Sequence, residues 1–200
     1  MTVHPIEIES YRILRDRVTL DHLGRGERAV VERVIHASAD LEYAETMVVD
    51  AGAVEAALAA LGGGAAVIAD VEMVRAGITG RRAVCYLGES DPAGRSTRSA
   101  AAMRLAAGRH PDGAVVVVGC APTALAEAVA LAEAGSFRPA VLIGLPVGFV
   151  GAAEAKVLAR SSRVPSITNV GEKGGSAVAA AALNALIRIS KTTGGGDDLG

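Results

Sequence analysis

Aromatic residues and net charge are both scarce in this sequence. Its 200 residues include no Trp, two Phe and three Tyr, and its formal net charge is −2. Proteins that hold nucleic acids usually do so with basic surfaces and with aromatic side chains that stack on unpaired bases. Nucleic-acid binding is therefore not expected, and the core must be built mainly from aliphatic side chains.

Cysteines are few, and clustered histidines and long apolar runs are missing. Cys85 and Cys120 are too few for a disulfide framework, and the four histidines lack metal-ligand spacing. No apolar run approaches the roughly 20 residues that span a bilayer, and the first residues lack the pattern of a secretory signal. These absences predict a cytoplasmic protein that binds neither a membrane nor a metal ion.

Short apolar runs alternate with helical patterns along most of the chain. We expect strands within residues 65–70, 82–87, 113–119, 139–144 and 164–168, and helices within 7–17, 26–37, 50–64, 97–108, 122–135, 151–160 and 175–189. Asp50 is a plausible N-cap of the third helix, which Gly62 ends. The alternation is typical of an α/β fold, a Rossmann-like three-layer sandwich whose mostly parallel sheet has helices on both faces. We expect one domain over residues 1–190 and a disordered tail over 191–200.

Glycine- and proline-containing loops follow four of the predicted strands. They are "GESDPAGRSTRS", "GCAPT", "GLPVGFVGAAE" and "TNVGEKGGS". Such loops lie at the carboxyl edge of the sheet, where backbone N–H groups at helix N-termini suit anions. They are also common as simple turns, and none has a nucleotide fingerprint or a nucleophile elbow. Cys120, in the second loop, is either a small buried residue at a tight turn or a thiol activated by the following helix.

His36 lies in the strongly helical segment "RVIHASAD". Helical spacing puts it on one face with Glu32, Arg33 and Asp40, beside the apolar stripe and not within it. A core histidine is therefore disfavoured. Periodicity leaves open an exposed, a partner-facing or a catalytic histidine.

Several stretches together, in order and over nearly the whole chain, resemble the precorrin isomerase family, the precorrin-8X methylmutases of cobalamin biosynthesis. They are "HPIEIESYRIL", "RVIHASAD", "DVEMVRAGI", "TRSAAAMRLA", "APTAL", "PVGFVGAAEAK" and "KGGSAVAAAALNAL". The resemblance implies an α/β homodimer that binds a tetrapyrrole near its subunit interface and needs no cofactor. It also implies a methyl shift from carbon 11 to carbon 12 of the ring, giving hydrogenobyrinate, or cobyrinate when cobalt is present.

The same resemblance assigns roles to particular residues. His36 matches the family's catalytic histidine, which would act as a general acid, and Ser10 of "ESY" matches a substrate-binding position. The remaining residues expected to bind substrate are Thr97, Arg98, Lys173, Gly174, Gly175 and Ser176. The Ala-rich helix over 175–189 is expected to supply dimer interface surface.

Three positions depart from the family pattern. Cys120 stands where the family usually has asparagine, and Val170 and Glu172 stand where it usually has arginines. Arginine is the expected partner of the substrate's carboxylates, so the departures favour an amidated or otherwise modified corrinoid. Two alternatives to the isomerase are a corrinoid-binding paralogue without activity and a thiol enzyme that uses Cys120.

Overall fold

The computed structural model describes residues 4–92 and 96–194, which form a six-stranded sheet with helices on both of its faces. The strands are β1 (Met47–Val49), β2 (Val67–Ala69), β3 (Ala83–Val84), β4 (Val115–Val118), β5 (Val141–Gly144) and β6 (Ser166–Asn169). Their order is β1-β6-β5-β4-β2-β3, and every pairing is parallel except that of β1 with β6.

The helices cover the sheet in two layers. They are α1 (Pro5–Arg15), α2 (Arg25–Ser38), α3 (Tyr43–Thr46), α4 (Ala53–Gly62), α5 (Glu72–Gly77), α6 (Arg98–Arg109), α7 (Pro122–Glu133), α8 (Ala152–Ser161) and α9 (Ser176–Gly194). Because side chains alternate along a strand, Val115 and Val117 belong to one apolar cluster with residues of α2, α4, α5 and α9, whereas Val116 and Val118 belong to a second cluster with residues of α6, α7 and α8. The predicted α/β fold with a mostly parallel sheet is confirmed.

Helix α9 is an internal element. It packs against α2, α4 and α5, and its residues from Val178 to Ile187 are nearly all buried. The prediction that it supplies a dimer interface is therefore wrong, because this chain already covers its apolar faces. The helix also continues to Gly194, so the tail expected from residue 191 begins in helix, while residues 195–200 lie outside the described residues.

The amino-terminal half holds the elements that the sequence patterns did not predict. These are the short helices α3 and α5 and the edge strand β1. Asp50 does not cap α4, which begins at Ala53 and ends at Gly62 as expected. Its carboxylate instead accepts hydrogen bonds from the backbone N and the Oγ of Ser166, at 2.9 and 2.7 Å. The antiparallel pairing of β1 with β6 brings the two residues together.

The neighbouring strands β2 and β4 form the point where the sheet order reverses. Chain connections leave this pair in opposite directions, since β3 lies beyond β2 and β5 beyond β4. The carboxyl ends of such a pair commonly border a ligand site. Asp70 follows β2 directly, and the loop "GCAPT" follows β4. No helix in the described part of the chain is long and apolar enough to cross a membrane.

Candidate functional site

His36 meets two neighbouring residues of α1. The Oγ atom of Ser10 lies 2.8 Å from His36 Nδ1, and the Tyr11 ring stacks on the imidazole with centroids 4.9 Å apart and planes 5° apart. His36 itself is half-buried. It is therefore neither a core residue nor a free surface residue, because two partners fix both the plane and one nitrogen of its ring.

The second ring nitrogen of His36 is left available. When Ser10 donates its hydroxyl proton to Nδ1, the neutral imidazole carries its own proton on Nε2. No residue within 4–92 or 96–194 hydrogen-bonds Nε2. In the imidazolium, which is the form that can give up a proton, Nδ1–H donates to the Ser10 hydroxyl and Nε2–H is the oriented group that a general acid needs.

Charged groups from three helices surround the histidine. Glu7 of α1 accepts hydrogen bonds from Arg33 of α2 at 2.9 Å and from Arg188 of α9 at 2.8 Å. The hydrogen bond from Arg188 is the main reason that the Glu7 pKa lies below its ordinary value. Burial, and next the positive charge of Arg33, lower the pKa of His36, while Glu7 partly opposes them. Unliganded His36 therefore loses its extra proton more readily than a free histidine.

Two carboxylates expected beside His36 have other partners. Glu32 binds Arg15 through two hydrogen bonds of 2.8 and 2.7 Å. Helix α2 ends at Ser38, and the left-handed conformation of Ala39 (φ 54°) takes Asp40 off the helix face. The predicted position of Asp40 on the helix face of His36 is therefore wrong, whereas Arg33 on that face does act electrostatically on the imidazole.

Lys173 joins the loop after β6 to the end of α2. Its Nζ lies 2.7 Å from Asp40 Oδ2 and 2.7 Å from Glu42 Oε2, and these hydrogen bonds hold the Lys173 pKa above its ordinary value. The ammonium is nevertheless about half exposed. A carboxylate of a ligand would have to share or displace the two partners that Lys173 already has.

The glycines after Lys173 allow a close approach between two loops. A Cβ at Gly174 would collide with the carbonyl oxygens of Leu145 and Pro146 in the loop after β5. Gly175 has a φ of 136° and donates its N–H to Leu145 O at 2.8 Å. The Gly175 amide is therefore already bound, and Ser176 begins α9 directly after it.

Backbone N–H groups of the loop "GCAPT" are likewise already hydrogen-bonded within the protein. The N–H groups of Gly119, Cys120 and Ala121 donate to the carboxylate of Asp70 at 3.1, 2.9 and 2.8 Å. Asp70 is buried, and burial raises its pKa although these hydrogen bonds oppose the rise. The expectation that the backbone of this loop is free for a ligand's anion is therefore wrong.

Cys120 matches neither expectation for it. It is exposed, so it is not a small buried turn residue. Desolvation, and next the negative charge of Asp70, raise the pKa of its thiol. A thiol with a raised pKa is a poor nucleophile at neutral pH, which removes the support for a thiol enzyme.

Thr97 and Arg98 lie at the start of α6. The Oγ1 atom of Thr97 caps the helix by accepting the N–H of Ala100 at 3.2 Å, and it lies 2.7 Å from the Oγ1 of Thr123. Arg98 is exposed, and no hydrogen bond within the described parts of the chain joins either residue to His36. Residues 93–95 of the preceding loop lie outside the described residues.

Three residues near these features were not predicted from the sequence. They are Tyr11, Asp70 and Lys156. Lys156 is fully buried, and the sequence held a signal for it, because it lies with Ala152, Ala155 and Ala159 on the apolar stripe of α8. Asp70 could have been found as a carboxylate that directly follows a buried strand. Tyr11 carried no signal, because its role depends on how α1 packs against α2.

An open, shallow groove runs along α1 and includes Ser10. Its volume is about 480 Å³, and it is lined by Pro5, Ile6, Glu9, Ser10 and Ile13. Ile6 and Ile13 are exposed despite being apolar. Among the described residues, no three His, Cys, Asp or Glu side chains are grouped so that they could hold a metal ion.

Comparisons with known proteins agree in one description. The family model for precorrin-8X methylmutase matches residues 5–189. The chain is 42% identical over 197 residues to a cobalt-precorrin-8 methylmutase of Methanothermobacter thermautotrophicus, covering 94% of each chain. It is 40% identical over 191 residues to a precorrin-8X methylmutase of Pseudomonas aeruginosa, covering 89% of this chain and 91% of the relative. A solved precorrin-8X methylmutase from Thermus thermophilus superposes with a TM-score of 0.86 at 39% identity, covering 94% of this chain and 97% of that one.

Proposed function

The chain belongs to the precorrin-8X methylmutase family, and from that premise we propose that it moves a methyl group from carbon 11 to carbon 12 of precorrin-8X or of its cobalt form. The enzyme is a methylmutase, an isomerase of cobalamin biosynthesis. The product is hydrogenobyrinate, or cobyrinate when the ring carries cobalt. The observation that carries the proposal is the oriented and half-buried His36, held by Ser10 and Tyr11.

In this proposal His36 is the general acid. The methyl group leaves carbon 11 and bonds to carbon 12 of the same molecule, so no group passes to the protein. A proton given by His36 Nε2 to the conjugated ring lowers the barrier to rearrangement and returns to the histidine afterwards. Help of this kind is typically worth about 10²–10⁴-fold in rate. Ser10 holds Nδ1 and so directs Nε2 towards the ring.

Substrate charge complements the low proton affinity of the free histidine. The macrocycle carries several carboxylates, and negative charge near an imidazole raises its pKa. Burial and Arg33 lower the His36 pKa in the unliganded protein, so binding and protonation favour each other. His36 then becomes a competent acid mainly when the substrate is present.

The remaining substrate-binding assignments are part of the same proposal. Lys173 is the cation beside the end of α2, where it is half exposed and able to share a ring carboxylate. Thr97 and Arg98 offer a hydroxyl and an exposed guanidinium at the start of α6. Gly174, Gly175 and Ser176 shape the loop that carries Lys173, and the Gly175 amide does so from an internal hydrogen bond.

The proposed assembly is a homodimer with its site near the interface. Support comes from apolar side chains that face solvent on α1, beside Ser10, and on the loop after β5. They are Ile6, Ile8 and Ile13 on the helix and Val147, Phe149 and Val150 on the loop. A second copy that covers α1 would also cover the groove that includes Ser10. Light scattering at micromolar concentration should give twice the mass of the chain, and a monomer would contradict the assembly.

The direct test is conversion of the substrate. Purified protein is incubated with enzymatically prepared precorrin-8X or its cobalt form while the visible spectrum is recorded, because the isomerisation changes conjugation. The proposal expects product formation, confirmed by chromatography against authentic hydrogenobyrinate or cobyrinate. Binding without any conversion would instead support the corrinoid-binding paralogue, which the unusual Val170 and Glu172 favour.

A further inference from the structure

Lys156 is a buried cation, and no carboxylate among the described residues hydrogen-bonds its ammonium. Its side chain is 0% exposed, and its Nζ donates to Asn169 Oδ1 at 2.9 Å and to the carbonyl oxygen of Lys173 at 2.6 Å. Both acceptors are neutral. The charged groups that act on it are Arg160 on the same helix and Glu172 in the loop.

We propose that Lys156 is a positioning residue that fixes the loop over 170–175, and with it Lys173, for binding of a ring carboxylate. The inference rests on the proposed function for the nature of the ligand. The fixing of the loop is a property of the free protein. The two parts can therefore be tested separately.

Hydrogen bonds hold both the main chain and the side chain of Lys173. Its carbonyl oxygen accepts hydrogen bonds from Lys156 Nζ and from Asn169 Nδ2, the latter at 2.9 Å. Its side chain reaches Asp40 and Glu42. The buried ammonium under α8 is thus linked through a single residue to the turn that follows α2, the helix that carries His36.

The loop over 170–175 needs such an anchor because its glycines allow many backbone conformations. Gly171, Gly174 and Gly175 lie within five residues, and Gly171 and Gly175 have φ angles of 85° and 136°. Glycine loses more conformational freedom on ordering than any other residue. The Lys156 and Asn169 side chains offset that cost at one carbonyl, which leaves the position of Lys173 defined before a ligand arrives.

Stability alone does not explain a lysine at this position. Burial lowers the pKa of Lys156 to about 8, which is a sign that its charge is disfavoured there. An apolar residue of similar length would avoid that cost. The retained ammonium places positive charge and two directed hydrogen bonds directly beneath a loop that should meet a polyanionic ring.

The experiment compares Lys156→Met with Arg163→Met, which removes an exposed cation bound to Glu133 at 3.1 Å, away from the loop. Amide hydrogen exchange of the free proteins tests the loop. Exchange of a peptide covering 170–175 should rise by about tenfold or more in Lys156→Met and stay unchanged in Arg163→Met. Equal exchange in both variants and the wild type would overturn the proposal.

Titration with hydrogenobyrinate tests the consequence for the ligand. We expect the Kd of Lys156→Met to rise at least about tenfold, with kcat changed by much less because His36 is intact. In a Lys173→Met background the same change should add little, because the two residues act through one contact. Full additivity would overturn the proposal.

Two further arms keep the outcomes distinct. If Lys156→Met does not fold, Lys156→Gln and the wild type between pH 7 and 9.5 replace it. Wild-type affinity should weaken as the pH passes about 8, where Lys156 loses its charge, and the lysine-free variant should lack that step. Altered loop exchange without any turnover in the wild type would support the positioning role while contradicting the proposed function.

Discussion

Two regions differ in how many of their hydrogen-bonding groups remain unbound. One is the histidine cluster of Ser10, Tyr11 and His36 on α1 and α2, and the other is the set of loops at the carboxyl edge of the sheet. At the cluster, Ser10 hydrogen-bonds one ring nitrogen of His36, and no described residue hydrogen-bonds the other. At the edge, the Asp70 carboxylate accepts hydrogen bonds from three backbone N–H groups of one loop, and the Leu145 carbonyl oxygen accepts one from the Gly175 amide of another. At the carboxyl edge of the sheet, where α/β folds commonly bind anions, these backbone donors are thus already bound within the protein. The unbound ring nitrogen, His36 Nε2, lies instead where α1 meets α2.

This difference changes how glycine-rich loops are interpreted. Gly174 and Gly119 are required because neighbouring atoms leave no room for a Cβ. Their loops are compact turns whose amides are used inside the protein. In the proposed function this edge therefore offers side chains to the ligand, mainly Lys173 and Arg98, and His36 supplies the chemistry. Substitutions in the two regions should therefore have different effects on turnover, stability and binding.

Replacing His36 by Ala should separate catalysis from folding most strongly. Turnover should fall by about 10²-fold or more, because the proposed general acid is lost. Binding of hydrogenobyrinate and the thermal midpoint should change little, because the half-buried ring lies beside the core stripe. Steady-state spectroscopy and thermal unfolding measure the two effects, with the exposed His22→Ala as the matched control. Turnover within a fewfold of the wild type would remove His36 from the mechanism.

Asp70→Asn should have the opposite profile. An amide can still accept through its oxygen, but its NH₂ group faces backbone donors that the carboxylate now binds. Losing charge-assisted hydrogen bonds to buried N–H groups should lower the free energy of unfolding by about 1–3 kcal/mol. Urea unfolding measures the loss, and Asp21→Asn on the surface should stay within about 0.5 kcal/mol. If stability is unchanged but turnover collapses, the sheet edge takes part in catalysis and the division between the regions fails.

The double change Val170→Arg/Glu172→Arg should open the edge to anions. Both positions are exposed on the loop of Lys173, and the main-chain bond between Gly148 and Glu172 does not depend on the side chain. Binding of the acid form of the product should improve by at least about tenfold, roughly 1.4 kcal/mol, while an amidated form gains little. Paired titrations of both proteins with both ligands measure this. Equal binding of the acid form would mean that these side chains do not face the ring.

Sequence patterns predicted the regular part of this protein well, and the reason is physical. The apolar runs at β2, β4 and β5 are fully buried, so continuous hydrophobicity identified them. Strand β1 was missed because three half-buried residues at an antiparallel edge carry a weak pattern. Asp70 and Lys156 escaped prediction because their partners lie 49 to 51 and 13 to 17 residues away. The importance of His36 came from a family motif, while its contacts with Ser10 and Tyr11 required the packing of α1 on α2.

The smallest expected effect concerns Arg33, whose charge influences the proton affinity of His36. Arg33 lies one turn before His36 on α2, and its charge lowers the His36 pKa, second to burial. Like charges one turn apart on a helix interact by only about 0.2–0.5 kcal/mol. In Arg33→Met, Glu7 keeps Arg188 as a partner, so the cluster should stay folded while the His36 pKa rises.

The sign of the resulting pH dependence follows from the acid role. Because His36 must carry its extra proton to act, kcat/KM falls as the pH rises through the free-enzyme pKa. In Arg33→Met that limb should move to higher pH, so kcat/KM at pH 7 should increase slightly instead of falling. NMR titration of the imidazole measures the pKa directly, and the pH profile of kcat/KM measures its effect, with Arg12→Met on the exposed face of α1 as the control. A limb that moves to lower pH would mean that Arg33 acts on the reaction through the substrate and not through His36.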